Sequence, residues 1–152
     1  MVILVQLDLS AAFDTVDHSI LLHLLKHKFG ITGTALKWMT SYLTGRSFSV
    51  KIGYIDGKRV LLIYGVPQGS ILGPLLFILY ISDLPAVVSK YDTSFQSYAD
   101  DSHAGFDPLS NYTETMSTVK QCIKEIELWM KSNFLQMNVD KTEVLFTHAF
   151  YF

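Results

Sequence analysis

The sequence holds a single cysteine, Cys122, which excludes an internal disulfide and fits a reducing compartment. Charge is scarce as well. Only 17% of residues are Asp, Glu, Lys or Arg, and the net charge is −2. A protein that grips nucleic acid alone carries a basic excess or stripe, and neither is visible here. Long apolar runs are lacking too. The longest, ILGPLLFILYI (71–81), is about half of what a spanning helix needs. The opening MVILVQLDL has no basic n-region and no small-residue cleavage site, so no signal peptide is expected. Together these lead to the expectation of a chain inside the cell, in nucleus or cytoplasm, and off the membrane.

What is plentiful is apolar. Hydrophobic residues make up 49% of 152, enough for one real core, and mean hydropathy is +0.28. That value suggests surfaces that normally meet neighbours. VILVQLDL (2–9) reads as a strand buried on both faces and ending at Asp8. Asp14 or Asp17 is positioned to cap the helix SILLHLLKHKFG, which stops at Gly30. TGTALKWMTSYLTG (32–45) reads as a second helix with Thr32 as cap. SFSVKIGYIDGKRVLLIY (47–64) reads as a hairpin turning at Asp56-Gly57. GVPQGS is a loop, and SILGPLLFILYISDL a buried helix with Pro74 near its first turn.

TSFQSYADDSHAGF (93–106) reads as two strands around a tight turn. Asn111 and Glu114 then have capping-box spacing. Met116, Val119, Ile123, Ile126 and Met130 form one stripe of a long helix, with Cys122 at its edge as an inert thiol. VDKTEVLF (139–146) closes as loop and strand. This is an α+β order, with an antiparallel sheet packed on helices and no regular βα alternation.

Asp100 and Asp101 stand side by side in an apolar context. Two unit charges 4 Å apart oppose each other by roughly 4 kcal/mol at an effective dielectric of about 20. Asp is also an ordinary turn residue. But Asp8 ends an apolar strand, where a bare charge needs a partner, and no Lys or Arg is near either site in sequence. A divalent cation solves this: hard cations take carboxylate oxygens, and magnesium shares them with substrate phosphates. Two such ions suit nucleotidyl transfer. His23 and His27 are four apart on a helix, but no glutamate follows in the HExxH manner, so both read as solvent-facing. The PQGS loop has too few glycines for a phosphate-cradling P-loop.

Five segments then occur in one order: LDLSAAFDTVDH (7–18), ALKWMTSYLTGRSFSV (35–50), GVPQGSILGPLLFILYISDLP (65–85), SYADDS (97–102) and MNVDKTEVLF (137–146). Together they resemble the palm of a reverse transcriptase from a non-LTR (LINE-type) retrotransposon, over residues 1–146, with 147–152 left as a tail. The resemblance implies a palm-like sheet and RNA-directed DNA polymerase activity. It implies Asp8, Asp100 and Asp101 as catalytic metal ligands, with the Leu9 carbonyl helping to hold the nucleotide's metal. The metals would be two magnesium ions, with manganese as a substitute. It implies Phe13 as the bulk that obstructs a 2′-hydroxyl, Gln68 and Gly69 as lining for the incoming nucleotide, and Lys141 as a general acid near pyrophosphate. Asp14 and Asp17 are not implied as ligands and are read as helix caps.

The partners implied are an RNA template with a DNA primer, deoxynucleoside triphosphates, and the fingers and thumb that the matching segments do not include. Without that basic clamp, weak and salt-sensitive primer–template binding is expected. Uncovered apolar surface predicts self-association. Two other functions compete. One is an inert retroelement remnant acting as an interaction module. The other is a palm-based nucleotide cyclase, which would want a GGDEF-like turn that is absent.

Overall fold

The computed structural model describes residues 2–91, 93–98, 101–106 and 112–147. In chain order the elements are β1 (Val2–Leu7), β2 (Leu9–Ser10), α1 (His18–His27), α2 (Gly33–Leu43), β3 (Ser47–Phe48), β4 (Lys51–Ile52), β5 (Ile55–Asp56) and β6 (Val60–Leu61). There follow α3 (Leu72–Tyr80), α4 (Leu84–Val88), a 3₁₀ turn at Ser89–Tyr91, β7 (Ser94–Tyr98), β8 (Asp101–Phe106), α5 (Tyr112–Ser132), β9 (Gln136–Met137) and β10 (Glu143–Thr147). They form two compact units, Met1–Ala12 with Ile81–Phe152, and Phe13–Tyr80.

In the first unit, β10, β1, β8 and β7 lie side by side in that order, all antiparallel. The first strand is not buried on both faces. Ile3, Val5 and Leu7 are fully buried, and the residues between them are only partly so. An antiparallel sheet can leave one face wet, and successive side chains alternate between faces. Ile3, Val5 and Leu7 sit opposite Phe106, Ala104 and Ser102, which are buried as well. Each apolar side chain so buried stabilises the fold by about 1.5–3 kcal/mol.

Helix α5 adds Thr115, Val119, Cys122, Ile126 and Met130 to this core. The stripe is therefore rotated from the sequence reading. Cys122 is wholly buried in it, while Met116 and Ile123 lie at its margin. Burial, with the Glu125 charge second, pushes the Cys122 thiol up to about 11. The thiol is inert at neutral pH, as expected. Asn111, the proposed cap, lies outside the described residues.

In the second unit, α1 starts where Asp17 accepts from the Ile20 N–H at 2.9 Å, so Asp17 is the cap and Asp14 is not. Thr32 occupies the cap position of α2 but makes no side-chain cap bond. The hairpin exists, but its turn is Gly53-Tyr54 rather than Asp56-Gly57. Ile52 pairs with Ile55 and Lys51 with Asp56. Gly53 supplies the positive φ, at +61°, that the first position of such a turn asks for. Gly57 instead lies against the backbone of Val50, whose carbonyl accepts from its N–H at 2.8 Å. The predicted helix 70–84 ends at Tyr80, and a new short helix starts at Leu84.

Leu72–Tyr91 as one stretch is apolar enough to cross a membrane by length and composition, with a mean hydropathy of 1.7 in its best window. That is longer than the run 71–81 suggests. In the fold the stretch breaks between Tyr80 and Leu84, and Leu76, Phe77, Tyr80, Leu84 and Val88 are buried core residues.

Candidate active site

The pairing of β1 with β8 ends at Leu7 opposite Ser102. Asp8 follows the last paired residue of β1, and Asp101 precedes the last paired residue of β8, so continuing the register by one step would set the two acids level. Facing positions in an antiparallel pair hold their Cα atoms roughly 4.5–5.5 Å apart. Both acids share the sheet face opposite Ile3, Val5 and Leu7, because side chains alternate along a strand. The Asp101 side chain is 58% exposed, and one of its oxygens lies 3.5 Å from His103 Nε2. Asp101 and His103 line an open groove of about 450 Å³ with Gln96 and Ser97. Asp100 lies outside the described residues.

The backbone of Asp8 is gripped from the C-terminal end of the chain. The Asn138 N–H donates to the Asp8 carbonyl at 2.8 Å, and the Asp8 N–H reaches Thr142 Oγ1 at 3.4 Å. Leu9 pairs with Met137 in the short ladder that follows. Thr142 Oγ1 donates to the Asn138 carbonyl at 2.8 Å, and the Lys141 N–H donates to the same oxygen at 3.3 Å. Lys141, exposed, therefore rides on a turn tied to Asp8. Asn138, Thr142 and His103 are new to the site. His103 had a signal in its spacing of two from Asp101 on a strand, and Asn138 and Thr142 lie in the segment 137–146 without having been singled out. Among the described residues, no group of three His, Cys, Asp or Glu side chains is gathered as a metal would need.

The second unit assembles Phe13, Gln68 and Gly69. The Val66 N–H donates to the Phe13 carbonyl and the Gly65 N–H to the Val16 carbonyl, both at 2.8 Å. His18, nearly buried, places Nε2 at 2.7 Å from the Gly65 carbonyl. These bonds staple the turn before α1 to the loop before α3. Gly65 has φ +88°, and an added Cβ would lie 3.0–3.1 Å from backbone atoms of Asp14 and Phe13. At the foot of the loop, Ser70 Oγ accepts from the Gly73 N–H at 3.0 Å, securing the start of α3. Phe13 packs its ring 5.2 Å from that of Phe77. It borders a pocket of about 350 Å³ with Pro67, Gln68, Gly69, Ser70 and Ile71.

Asp14 has a different job from the one expected. Gln68 Nε2 donates to both of its carboxylate oxygens at 3.0 Å. His23 and His27 are exposed, with rings 4.4 Å apart, and carry no sign of a site.

A family profile described as reverse transcriptase (RNA-dependent DNA polymerase) matches residues 2–151. The chain belongs to that family. Within it, this reverse transcriptase domain is of the non-LTR, LINE type. It is 41% identical over 97 residues to a probable RNA-directed DNA polymerase from transposon X-element of Drosophila melanogaster, covering 62% of this chain and 10% of that protein. It is 30% identical over 149 residues to the RNA-directed DNA polymerase from mobile element jockey of Drosophila funebris, covering 94% and 16%. The chain thus spans about a sixth or less of these curated relatives.

Among solved structures, telomerase from Candida albicans, in complex with a fragment of telomeric RNA, superposes with a TM-score of 0.74 at 15% identity. That match covers 99% of this chain and 27% of the telomerase chain. At that identity the likeness concerns the fold, and it makes the reverse transcriptase domain palm-like. The residues singled out in the sequence fall into two sets: Asp8, Leu9, Asp101 and Lys141 in one unit, and Phe13, Gln68 and Gly69 in the other.

Proposed function

We propose that this domain performs RNA-directed DNA synthesis, adding deoxynucleotides to a primer 3′-hydroxyl paired with an RNA template. The observation that supports the proposal is the β1–β8 register, which ends at Leu7 opposite Ser102 and leaves Asp8 and Asp101 as the next residues at that end of the sheet. Asp8, Asp100, Asp101 and the Leu9 carbonyl would hold two magnesium ions, for which manganese could substitute. The donor set suits them: hard carboxylate oxygens, open to solvent at Asp101, and no lysine or arginine paired with either described acid. When bound, such ions activate the attacking hydroxyl and offset charge on the leaving group.

The chain's own groups do the rest. Strand pairing of β1 up to Gln6 and Leu7, with the Asn138 N–H on the Asp8 carbonyl, would hold Asp8 in place without reorganisation as charge develops. Lys141 would give a proton to the leaving pyrophosphate from its turn on Asp8. Gln68 and Gly69 would line the nucleotide, and Phe13, backed by Phe77, would obstruct a 2′-hydroxyl.

The test is primer extension on oligo(dT)–poly(rA) with dTTP and magnesium, comparing the chain with Asp101→Asn. Extension by the parent alone supports the proposal. A second reading is a retroelement-derived interaction module without catalysis. Hybrid binding by both proteins with extension by neither favours it. Either way, binding should weaken steeply with salt. Self-association should follow from exposed Ile52, Tyr54, Ile55 and Ile71. A monodisperse monomer at high concentration would count against that last point.

A further inference from the structure

We propose that Asp14 is a positioning residue that decides which end of the Gln68 amide faces a ligand. The inference deepens the nucleotide-binding reading of that pocket and rests on it. An ionised carboxylate only accepts hydrogen bonds, and a glutamine side chain donates only from its NH₂. Both Asp14 oxygens lie 3.0 Å from Gln68 Nε2. The reversed amide would set its carbonyl oxygen against two carboxylate oxygens, so the hydrogen-bond network assigns the orientation.

Gln68 Oε1 is then the end left for a ligand. Gln68 lines the pocket beside Phe13 and Gly69, and also a second one of about 380 Å³ that Asp14, Arg46 and Tyr64 border. The pocket is therefore offered an acceptor, and it selects a ligand group that donates, a hydroxyl or an N–H. The supports of the pair are short-range in space. The carbonyl of Phe13, next to Asp14, holds the Val66 N–H, two residues before Gln68. The carboxylate and the amide thus stand on two backbone segments already stapled together, so little further ordering is needed for them to meet.

Two measurements test this on the chain as it is. The first is ¹H–¹⁵N NMR of the Gln68 side-chain NH₂, assigned by its loss in Gln68→Ala. Gln68 and Gln121 are both exposed, so the Asp14 hydrogen bond alone should make Gln68 exchange about tenfold slower than Gln121, and the protection should vanish in Asp14→Ala. The second is calorimetric titration with dTTP and magnesium. Asp14→Asn keeps the shape but lets the amide face either way. It should weaken dTTP binding by about five- to tenfold in the parent and less than twofold in a Gln68→Ala background. Equal losses in both backgrounds, or an unprotected Gln68 amide in the parent, overturn the proposal. If the parent binds no dTTP, the nucleotide reading fails. The exchange measurement then still decides the pairing, upheld by protection and overturned without it. An unchanged urea midpoint in Asp14→Asn separates positioning from loss of fold.

Discussion

Replacing Gly65 by alanine should damage the second unit far more than the same change at Gly69. Both glycines have positive φ, +88° and +73°, a region that disfavours any Cβ by about 1–2 kcal/mol. At Gly69 nothing lies within 4 Å of the added atom. At Gly65 the Cβ meets the Asp14 carbonyl oxygen at 3.0 Å, and the Asp14 Cα and Phe13 carbonyl oxygen at 3.1 Å. These are backbone atoms, fixed by the Gly65–Val16 and Val66–Phe13 hydrogen bonds, so they cannot swing aside. Overpacking of that kind adds about 1–3 kcal/mol. The totals are about 3 kcal/mol for Gly65→Ala and about 1 for Gly69→Ala. With a urea slope near 2 kcal/mol/M, the midpoints should fall by roughly 1.5 M and 0.5 M. Urea titration followed by far-UV circular dichroism reads both. Equal midpoints for the two variants would refute the claim that turn 13–17 and loop 65–68 are clamped on a shared backbone.

Three further outcomes are expected. Asp17→Ala removes the cap on the Ile20 N–H and should lower stability by about 1 kcal/mol in the same titration. Ile126→Ala empties a fully buried position of α5 and should lower it by about 2–5 kcal/mol, whereas Leu128→Ala, at an exposed position, should stay within about 0.5. Cys122 carries a pH signature. Its folded value is raised from the ordinary 9.0 to about 11, so its contribution is fully present below pH 9 and is lost as pH rises towards 11. Between pH 9 and 10 stability should drop in the parent and not in Cys122→Ala; above pH 10 the raised Tyr80 and Tyr91 add a loss common to both proteins. At pH 8, iodoacetamide should label Cys122 only as fast as the core opens.

Much of the fold was legible because period and punctuation are local. The β-branched apolar run before Asp8, the apolar spacing of 116–130 and the glycines at 30 and 45 all report on neighbours a few positions away. The errors share a cause as well. The hairpin offered two glycines, Gly53 and Gly57, and the Asp-Gly dipeptide favours the second by propensity. Register decided for the first, because it pairs Ile52 with Ile55 and puts Gly57 against the Val50 backbone, where an added Cβ would lie 2.8 Å from its carbonyl oxygen. That contact links positions seven apart, and no dipeptide rule contains it. The burial of the first strand was misread for a related reason. A run of apolar residues does not say how many sides of a sheet are covered.

The site divides along the same line. Asp8 and Asp101 could be singled out because charge is costly where they stand, and costly residues need a reason. Whether they act together depends on the β1–β8 register, and on Asn138 and Thr142, ordinary polar residues that hold the Asp8 backbone from far along the chain. Asp14 shows the limit most clearly. Two aspartates precede α1, and either could cap it by composition. The helix begins at His18, which makes Asp17 the cap and leaves Asp14 without a local role. Its partner, Gln68, stands 54 positions away. A residue whose local explanation has been taken by a neighbour is therefore a good place to look for a long-range one. In this chain that search leads from a spare aspartate to the pocket proposed for the nucleotide.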